Sequence, residues 1–339
     1  MKIAVDAMGG DNAPQAVVAG AVQAAMEYSI GIILVGIEQI VQQELDKHPQ
    51  VKRLGLPLEI RNASEVVDMH DSAATVFRRK KDSSIRVANE LVKNGEASAV
   101  ISAGHTGAAM STSLFVLGRI EGVERPAIAT FMPTITGTSV LLDMGANVDC
   151  KPNNLLQFAV MGDVYAKYLL KNPNPRVGLL SIGEEETKGN ELTKEAFKLL
   201  AETTLNFIGN VEGRDVVSGK ADVIVCDGFI GNVVLKVSEA VAEAIGTFLR
   251  KDIEKSMFSK LGYLLMRPAF NSLRRRVDYA EHGGAPLVGI NGISIISHGR
   301  SSERAIKNAI RVAAELAKSD VNKHIREDIG KNMELAKIR

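Results

Sequence analysis

Lys188 stands in Thr187-Lys188-Gly189-Asn190, directly ahead of a helical stretch that Asn190 is placed to cap. A lysine cation and the positive end of a helix then face the same point. Such a pair stabilises a phosphate, or the oxyanion that develops when a carbonyl is attacked; the plain alternative is a solvated surface lysine. Asn232 closes Asp227-Gly228-Phe229-Ile230-Gly231-Asn232 and reads as the cap of a long helix, with a side-chain amide also able to donate to a carbonyl oxygen. Asp227 reads as a turn former. Cys226, at the end of an apolar run, reads as a packed thiol rather than a nucleophile.

Four more turns share this small, polar, glycine-rich character: Met8-Gly9-Gly10-Asp11, Ser102-Ala103-Gly104-His105-Thr106-Gly107, Met144-Gly145-Ala146-Asn147, and His298-Gly299-Arg300-Ser301-Ser302. The 102–107 turn lacks the Gly-Lys-Ser/Thr of a nucleotide loop and the G-x-G-x-x-G of a dinucleotide fold. A glycine turn that feeds a helix still offers unpaired amides to an anion, with Thr106, Ser111, Thr112 and Ser113 as hydroxyl donors. Close helix packing by small residues is the competing explanation, and spacing alone leaves it open. His105, His298 and Arg300 could contact an anion or simply line exposed loops. Glu184, Glu185 and Glu186 are adjacent carboxylates that diverge, which suits a solvated loop better than a metal site. The run Arg78 to Lys81 is four consecutive cations, a solvated face or a patch for an acidic partner.

The elements that must position these turns are short apolar runs alternating with helical stretches. KIAV, GIILVG, PLEI, SAVIS, AIATF, TSVLLD, RVGLLSI, ADVIVCD and ISIIS are mostly continuous, as in strands buried on both faces. Helical patterns cover Pro14 to Glu27, Ser83 to Asn94, Asn153 to Lys171 and Asn190 to Glu202. The expected fold is α/β, a mostly parallel sheet with flanking helices. In a parallel sheet every strand-to-helix turn lies at the carboxyl edge, so the six turns are expected to rim one cleft.

Residues 1–330 read as a single α/β unit, undivided or built of two subdomains about the cleft. Residues 230–276 break the alternation and read as a helical insertion. Phe258, Leu261, Leu265 and Leu273 fall near helical spacing there, with Gly262 and Pro268 expected to bend or break the helix. Residues 331–339 read as a loose polar tail. Forty-one basic against 40 acidic residues give no global attraction to nucleic acid. Two cysteines, no signal-peptide core and no membrane-length apolar run suit a cytoplasmic protein.

Seven motifs, in this order and covering nearly the whole chain, carry a specific resemblance: AVDAMGGDNAP, SAGHTGAAM, DMGANVDCKP, GNELTKEAF, CDGFIGNVVLK, GGAPLVGI and HGRSS. Together they resemble the bacterial PlsX family of phosphate acyltransferases. The resemblance implies conversion of acyl-acyl carrier protein and inorganic phosphate to acyl phosphate and free carrier protein, feeding phospholipid synthesis. It implies a fold similar to isocitrate and isopropylmalate dehydrogenases and to phosphotransacetylases, with a projecting helical insertion. It also implies a homodimer in peripheral contact with an anionic membrane, beside the downstream glycerol-3-phosphate acyltransferase, and neither cofactor nor metal. Lys188 and Asn232 become the catalytic candidates. Gly9, Gly10, Asp11, Ser102, Gly104, His105, Thr106, Gly107, Asn147, Asn190, Gly231, His298, Arg300 and Ser301 become phosphate- or substrate-binding candidates.

The insertion then acquires a reason: from Arg250 to Arg276 it carries eight basic and two acidic residues around its apolar stripe, as in a helix lying on an anionic membrane. Packing of the same leucines in a dimer core is the alternative. Three rival functions are a metal-dependent dehydrogenase on this fold, a phosphotransacetylase using coenzyme A, and a non-catalytic membrane scaffold. The first needs clustered aspartates and arginines that the sequence lacks. The second is compatible with the spacing, and intact Lys188 and Asn232 argue against the third.

Overall fold

A computed structural model describes residues 1–68, 71, 76, 78–277 and 283–335, and the side chains of 273–277 are outside the description. Eleven strands form one sheet: β1 (Lys2–Asp6), β2 (Gly31–Gly36), β3 (Leu58–Asn62), β4 (Ala99–Ser102), β5 (Ala127–Thr134), β6 (Gly137–Leu142), β7 (Arg176–Leu180), β8 (Asn206–Val211), β9 (Val223–Val225), β10 (Ala285–Val288) and β11 (Ser294–Ile296). The helices are α1 (Gln15–Tyr28), α2 (Glu38–Leu45), α3 (Gln50–Leu54), α4 (Ser84–Lys93), α5 (Thr106–Leu117), α6 (Pro152–Leu169), α7 (Glu191–Ala201), α8 (Gly228–Glu254), α9 (Met257–Val277), α10 (Glu303–Lys318) and α11 (Val321–Leu335).

Successive strand residues point to opposite faces, and here both faces are apolar. Ile3, Val5, Ile101, Val140, Leu142, Val223 and Val225 join one core cluster with residues of α1, α6 and α10. Ala4, Ile33, Val100, Leu141 and Ile224 join a second with Ile85 and Leu91 of α4 and Ala109 and Val116 of α5. The continuous apolar runs in the sequence are the consequence. Two strands escape that signature: β8 is mostly half-buried and contains Gly209, and β10 is a four-residue strand with a proline.

Strand order is β3-β2-β1-β4-β11-β10-β5-β6-β9-β7-β8. β1, β4 and β11 are mutually parallel, as are β6, β9 and β7. Between the two sets, β10 is antiparallel to both β11 and β5, and the β5–β6 hairpin is antiparallel again. Three reversals leave the halves running in opposite directions. The expectation that six turns rim one cleft is therefore corrected: three leave one edge of the sheet and three leave the other.

The insertion is two helices, α8 and α9, packed on each other. Of the 27 residues of α8, only Gly228 and Gly231 are buried. α9 is not broken at Gly262 or Pro268, since a proline removes one backbone donor while the turns on either side persist. Phe258, Leu261 and Leu265 are 88%, 58% and 75% exposed. Leu273 belongs to α9, but its side chain lies outside the described residues. The expected polar tail over 331–339 is corrected for residues 331–335, and 336–339 lie outside the described residues. Residues 331–335 continue α11, because buried Asn332 accepts the Thr204 amide at 3.0 Å and Met333 packs on the core.

Candidate active site

The first edge gathers the ends of β1, β4 and β11. Asp6 ends β1 with its carboxylate buried. Ser102 Oγ donates to Asp6 Oδ2 at 2.7 Å and accepts the Gly104 amide at 3.1 Å. The turns touch backbone to backbone: a Cβ on Gly9 would lie 2.8 Å from the Gly104 nitrogen, and one on Gly10 3.0 Å from the carbonyls of Ala103 and Gly299. Gly10 also has a φ of +109°, which favours glycine. The Asp11 amide donates to the Gly299 carbonyl at 2.8 Å. Arg300 and Asp11 are exposed, 4.0 Å apart.

His105 is the N-cap of α5, its Nδ1 accepting the Ala108 amide at 3.1 Å. The amides of His105, Thr106 and Gly107 donate to no described residue. Three consecutive free amides at a helix start form a concavity suited to an anion. A small pocket lies here, lined by Asp6, Gly9, Ser84, Ser102, Gly104 and His105 among others. The hydroxyls expected behind the turn serve elsewhere. Ser111 bonds back to the Ala108 carbonyl, Ser113 pairs with Ser294 at 3.0 Å, and buried Thr112 has no hydrogen-bond partner among the described residues. Ser301 is buried, its hydroxyl also without a partner among the described residues, while Ser302 caps α10. His298 is exposed and its Nδ1 accepts the Arg300 amide at 3.1 Å.

The second edge gathers the ends of β6, β9 and β7. Asp143 is fully buried and accepts four donors: the amides of Ile128 (2.9 Å), Ala146 (3.0 Å) and Asn147 (2.7 Å), and Asn147 Nδ2 (2.8 Å). Burial pushes its pKa up while these donors pull it down. Asn147, expected to bind substrate, instead has its side chain committed to Asp143 and the Pro126 carbonyl. Gly228 donates to the Asn147 carbonyl at 2.8 Å. Asp227, not Asn232, caps α8, its Oδ1 accepting the Ile230 amide at 2.9 Å. Asn232 sits inside the helix with its side chain over Gly145, exposed and without a hydrogen bond to a described residue.

From the neighbouring strand β7, the 181–190 turn brings Lys188 to the same edge. Asn190 caps α7 as expected, accepting the Thr193 amide at 2.9 Å. Glu184 pairs with Lys220 at 2.9 Å and Arg214 at 3.4 Å, leaving Lys188 exposed and free of ion pairs with described residues. Ile182, Val148 and Phe229 stand beside these turns at 82%, 60% and 59% exposure, an apolar border to a polar centre. Cys226 is buried and Cys150 half-buried; burial raises both thiols, Cys150 to about 11, so neither is a nucleophile near neutral pH. Of the 78–81 run, Arg78, Arg79 and Lys81 are exposed, and half-buried Lys80 is turned onto Asp71 and the Val66 carbonyl.

The fold carrying these edges is that of the phosphotransacylases. A phosphotransacetylase from Streptococcus pyogenes superposes with a TM-score of 0.63 at 19% identity, over 94% of each chain. A branched-chain phosphotransacylase from Enterococcus faecalis gives 0.58 at 15% identity, over 94% of this chain and 99% of that one. Closer relatives specify the family. The phosphate acyltransferase of Trichlorobacter lovleyi is 56% identical over 332 residues, 98% of this chain and 95% of that protein, and that of Geotalea daltonii is 55% identical over 335 residues, 99% and 96%. A family model described as fatty acid synthesis protein matches residues 1–324. The chain belongs to this family, the PlsX phosphate acyltransferases, and is an enzyme of that class.

Proposed function

We propose that the enzyme transfers an acyl group from an acyl carrier protein thioester to inorganic phosphate, giving acyl phosphate and free carrier protein for phospholipid synthesis. A phosphate oxygen attacks the thioester carbonyl, the tetrahedral oxyanion forms, and the C–S bond breaks to release a thiolate. With pKa ~8.5 for the thiol, the thiolate leaves without a strong general acid. Phosphate is itself the nucleophile, so no acyl-enzyme is formed. The protein's task is to orient the two reactants and to stabilise the oxyanion.

The observation that carries this reading is a pair of donors without a described partner following neighbouring strands, the Lys188 ammonium on the turn after β7 and the Asn232 amide in the second turn of α8, after β9. They are the oxyanion donors, and the apolar border of Ile182, Val148 and Phe229 receives the start of the acyl chain. The free amides of His105, Thr106 and Gly107 take phosphate. These centres leave opposite sheet edges, and a homodimer unites them, the phosphate edge of one copy meeting Lys188 and Asn232 of the next. Support for a second copy comes from α8. Its exposed Ile230, Val233, Val237, Val241, Ile245 and Phe248 recur at helical spacing, starting beside Asn232. The donor is tested by comparing kcat/KM for carrier-protein and coenzyme A thioesters of one acyl chain. Preference for the carrier thioester supports the reading, and preference for coenzyme A makes the enzyme phosphotransacetylase-like.

The tip of the hairpin, with Phe258, Leu261 and Leu265 exposed amid basic residues, contacts an anionic membrane, so a reactive acyl phosphate is made beside the acyltransferase that consumes it. No helix among the described residues is long and apolar enough to cross a membrane. Leu265→Glu is expected to weaken binding to anionic liposomes at least several-fold. Unchanged binding with an intact dimer would assign the stripe to packing between copies.

A further inference from the structure

We propose that Asp6 is the positioning residue of the phosphate concavity, fixing the turn after β1 against the turn after β4. The inference rests on the reading that the amides of His105, Thr106 and Gly107 take phosphate. Asp6 is 3% exposed at the end of β1, and its carboxylate reaches three elements. Oδ1 accepts the Met8 amide at 3.2 Å and Oδ2 accepts the Ser102 hydroxyl at 2.7 Å. The Ser84 hydroxyl, at the first turn of α4, and the Gly9 amide lie close to it and favour its charged form. Ser102 relays the hold, since its oxygen accepts the Gly104 amide at 3.1 Å, one residue before the free amides begin.

Missing side chains set how closely the parts approach. A Cβ on Gly9 would fall 2.6 Å from Asp6 Oδ2 and 2.8 Å from the Gly104 nitrogen. The carboxylate therefore lies directly beneath the contact between the two turns. Its chemistry separates positioning from ligation. A bare carboxylate beside an anion site repels the anion, but each oxygen of this one accepts a hydrogen bond, from the Met8 amide and the Ser102 hydroxyl, with the Gly9 amide and the Ser84 hydroxyl close by. Asp6 is thus occupied in holding the turns, and the amides beyond Gly104 meet the ligand. Amides bind an anion well only when their directions are fixed, because reorganising them on binding weakens the site.

The test compares steady-state kinetics of folded variants with inorganic phosphate and the acyl thioester as varied substrates. Asp6→Asn keeps the shape but turns one of the two acceptor oxygens into a donor, so either the Met8 amide or the Ser102 hydroxyl loses its acceptor. It is expected to raise KM for phosphate by about 10-fold, with kcat within about threefold and KM for the thioester unchanged. A purely structural role would lower thermal stability and the active fraction without moving the phosphate KM. Ser102→Ala, which removes one link of the relay, should shift the phosphate KM in the same direction but less. Thr106→Pro supplies the separate control. Proline at the first helical position is tolerated and deletes one amide donor, so the phosphate KM should rise while the fold persists. If Thr106→Pro raises the phosphate KM and Asp6→Asn does not, the proposal is overturned; should Asp6→Asn fail to fold, an unshifted KM in Ser102→Ala overturns it. If Thr106→Pro leaves the phosphate KM unchanged, the phosphate reading fails, and the proposal with it.

Discussion

Lys188→Ala is expected to lower kcat by about 10²- to 10³-fold while leaving the folded protein and its phosphate KM intact. The expected size is that of losing one preorganised donor to a tetrahedral oxyanion. Stability should hardly change, because the Lys188 side chain is exposed and makes no ion pair with a described residue. Asn232→Ala should produce a loss of similar kind. The double variant should lose less than the product of the two, since the donors act on one oxygen. Pairing of edges between copies adds a sharper readout: mixing Lys188→Ala with Thr106→Pro protomers should regenerate activity, because half the sites in a mixed dimer then have both edges intact. Full activity in folded Lys188→Ala would remove the oxyanion assignment, and a mixture no more active than its parts would give each protomer its own complete site.

The second large effect is on stability. Gly231 lies where α8 crosses the turn after β6, and a Cβ added there would sit 1.9 Å from the Asp143 carbonyl oxygen and 3.1 Å from Cys226 Sγ. The obstacle is backbone, so rotamer changes cannot relieve it. Gly231→Ala should cost at least ~3 kcal/mol, with Asn232 displaced from Gly145 and activity falling with stability. Gly246, on the same helix, has nothing within 4 Å of its Cβ position. Gly246→Ala should be neutral or stabilise by up to ~1 kcal/mol through helix propensity. Thermal melts of the two variants check the contrast; equal melting temperatures would contradict the close approach at Gly231.

The strands flanked by helices were legible because burial on both faces leaves a run such as Ile3-Ala4-Val5 without polar interruptions. Direction was harder to read. Thr134-Ile135-Thr136-Gly137 between two apolar runs is a hairpin signal, and that reversal, with β10, turns half of the sheet around. Reading every turn as part of a parallel sheet merged two edges into one. Among site residues, Lys188 and Asn190 fall where their local motif implied, because a turn and its cap are local chemistry. Asn232 is not the cap because Asp227, five residues earlier and two residues past the end of β9, is the better-placed acceptor. Asp6 and Asp143 were passed over, although each is an acid ending an apolar strand just before a glycine turn. Their donors come from residues as distant in sequence as Ser102 and Ile128, so only the assembled sheet displays their role.

The most direct measurement incubates the purified enzyme with inorganic phosphate and an acyl carrier protein thioester and follows phosphorus by NMR. The account predicts an acyl phosphate resonance growing in step with free carrier thiol, one for one, and suppressed about 10²-fold or more in Lys188→Ala. Failure to form acyl phosphate from either the carrier thioester or the coenzyme A thioester, with folded enzyme and excess phosphate, would contradict it.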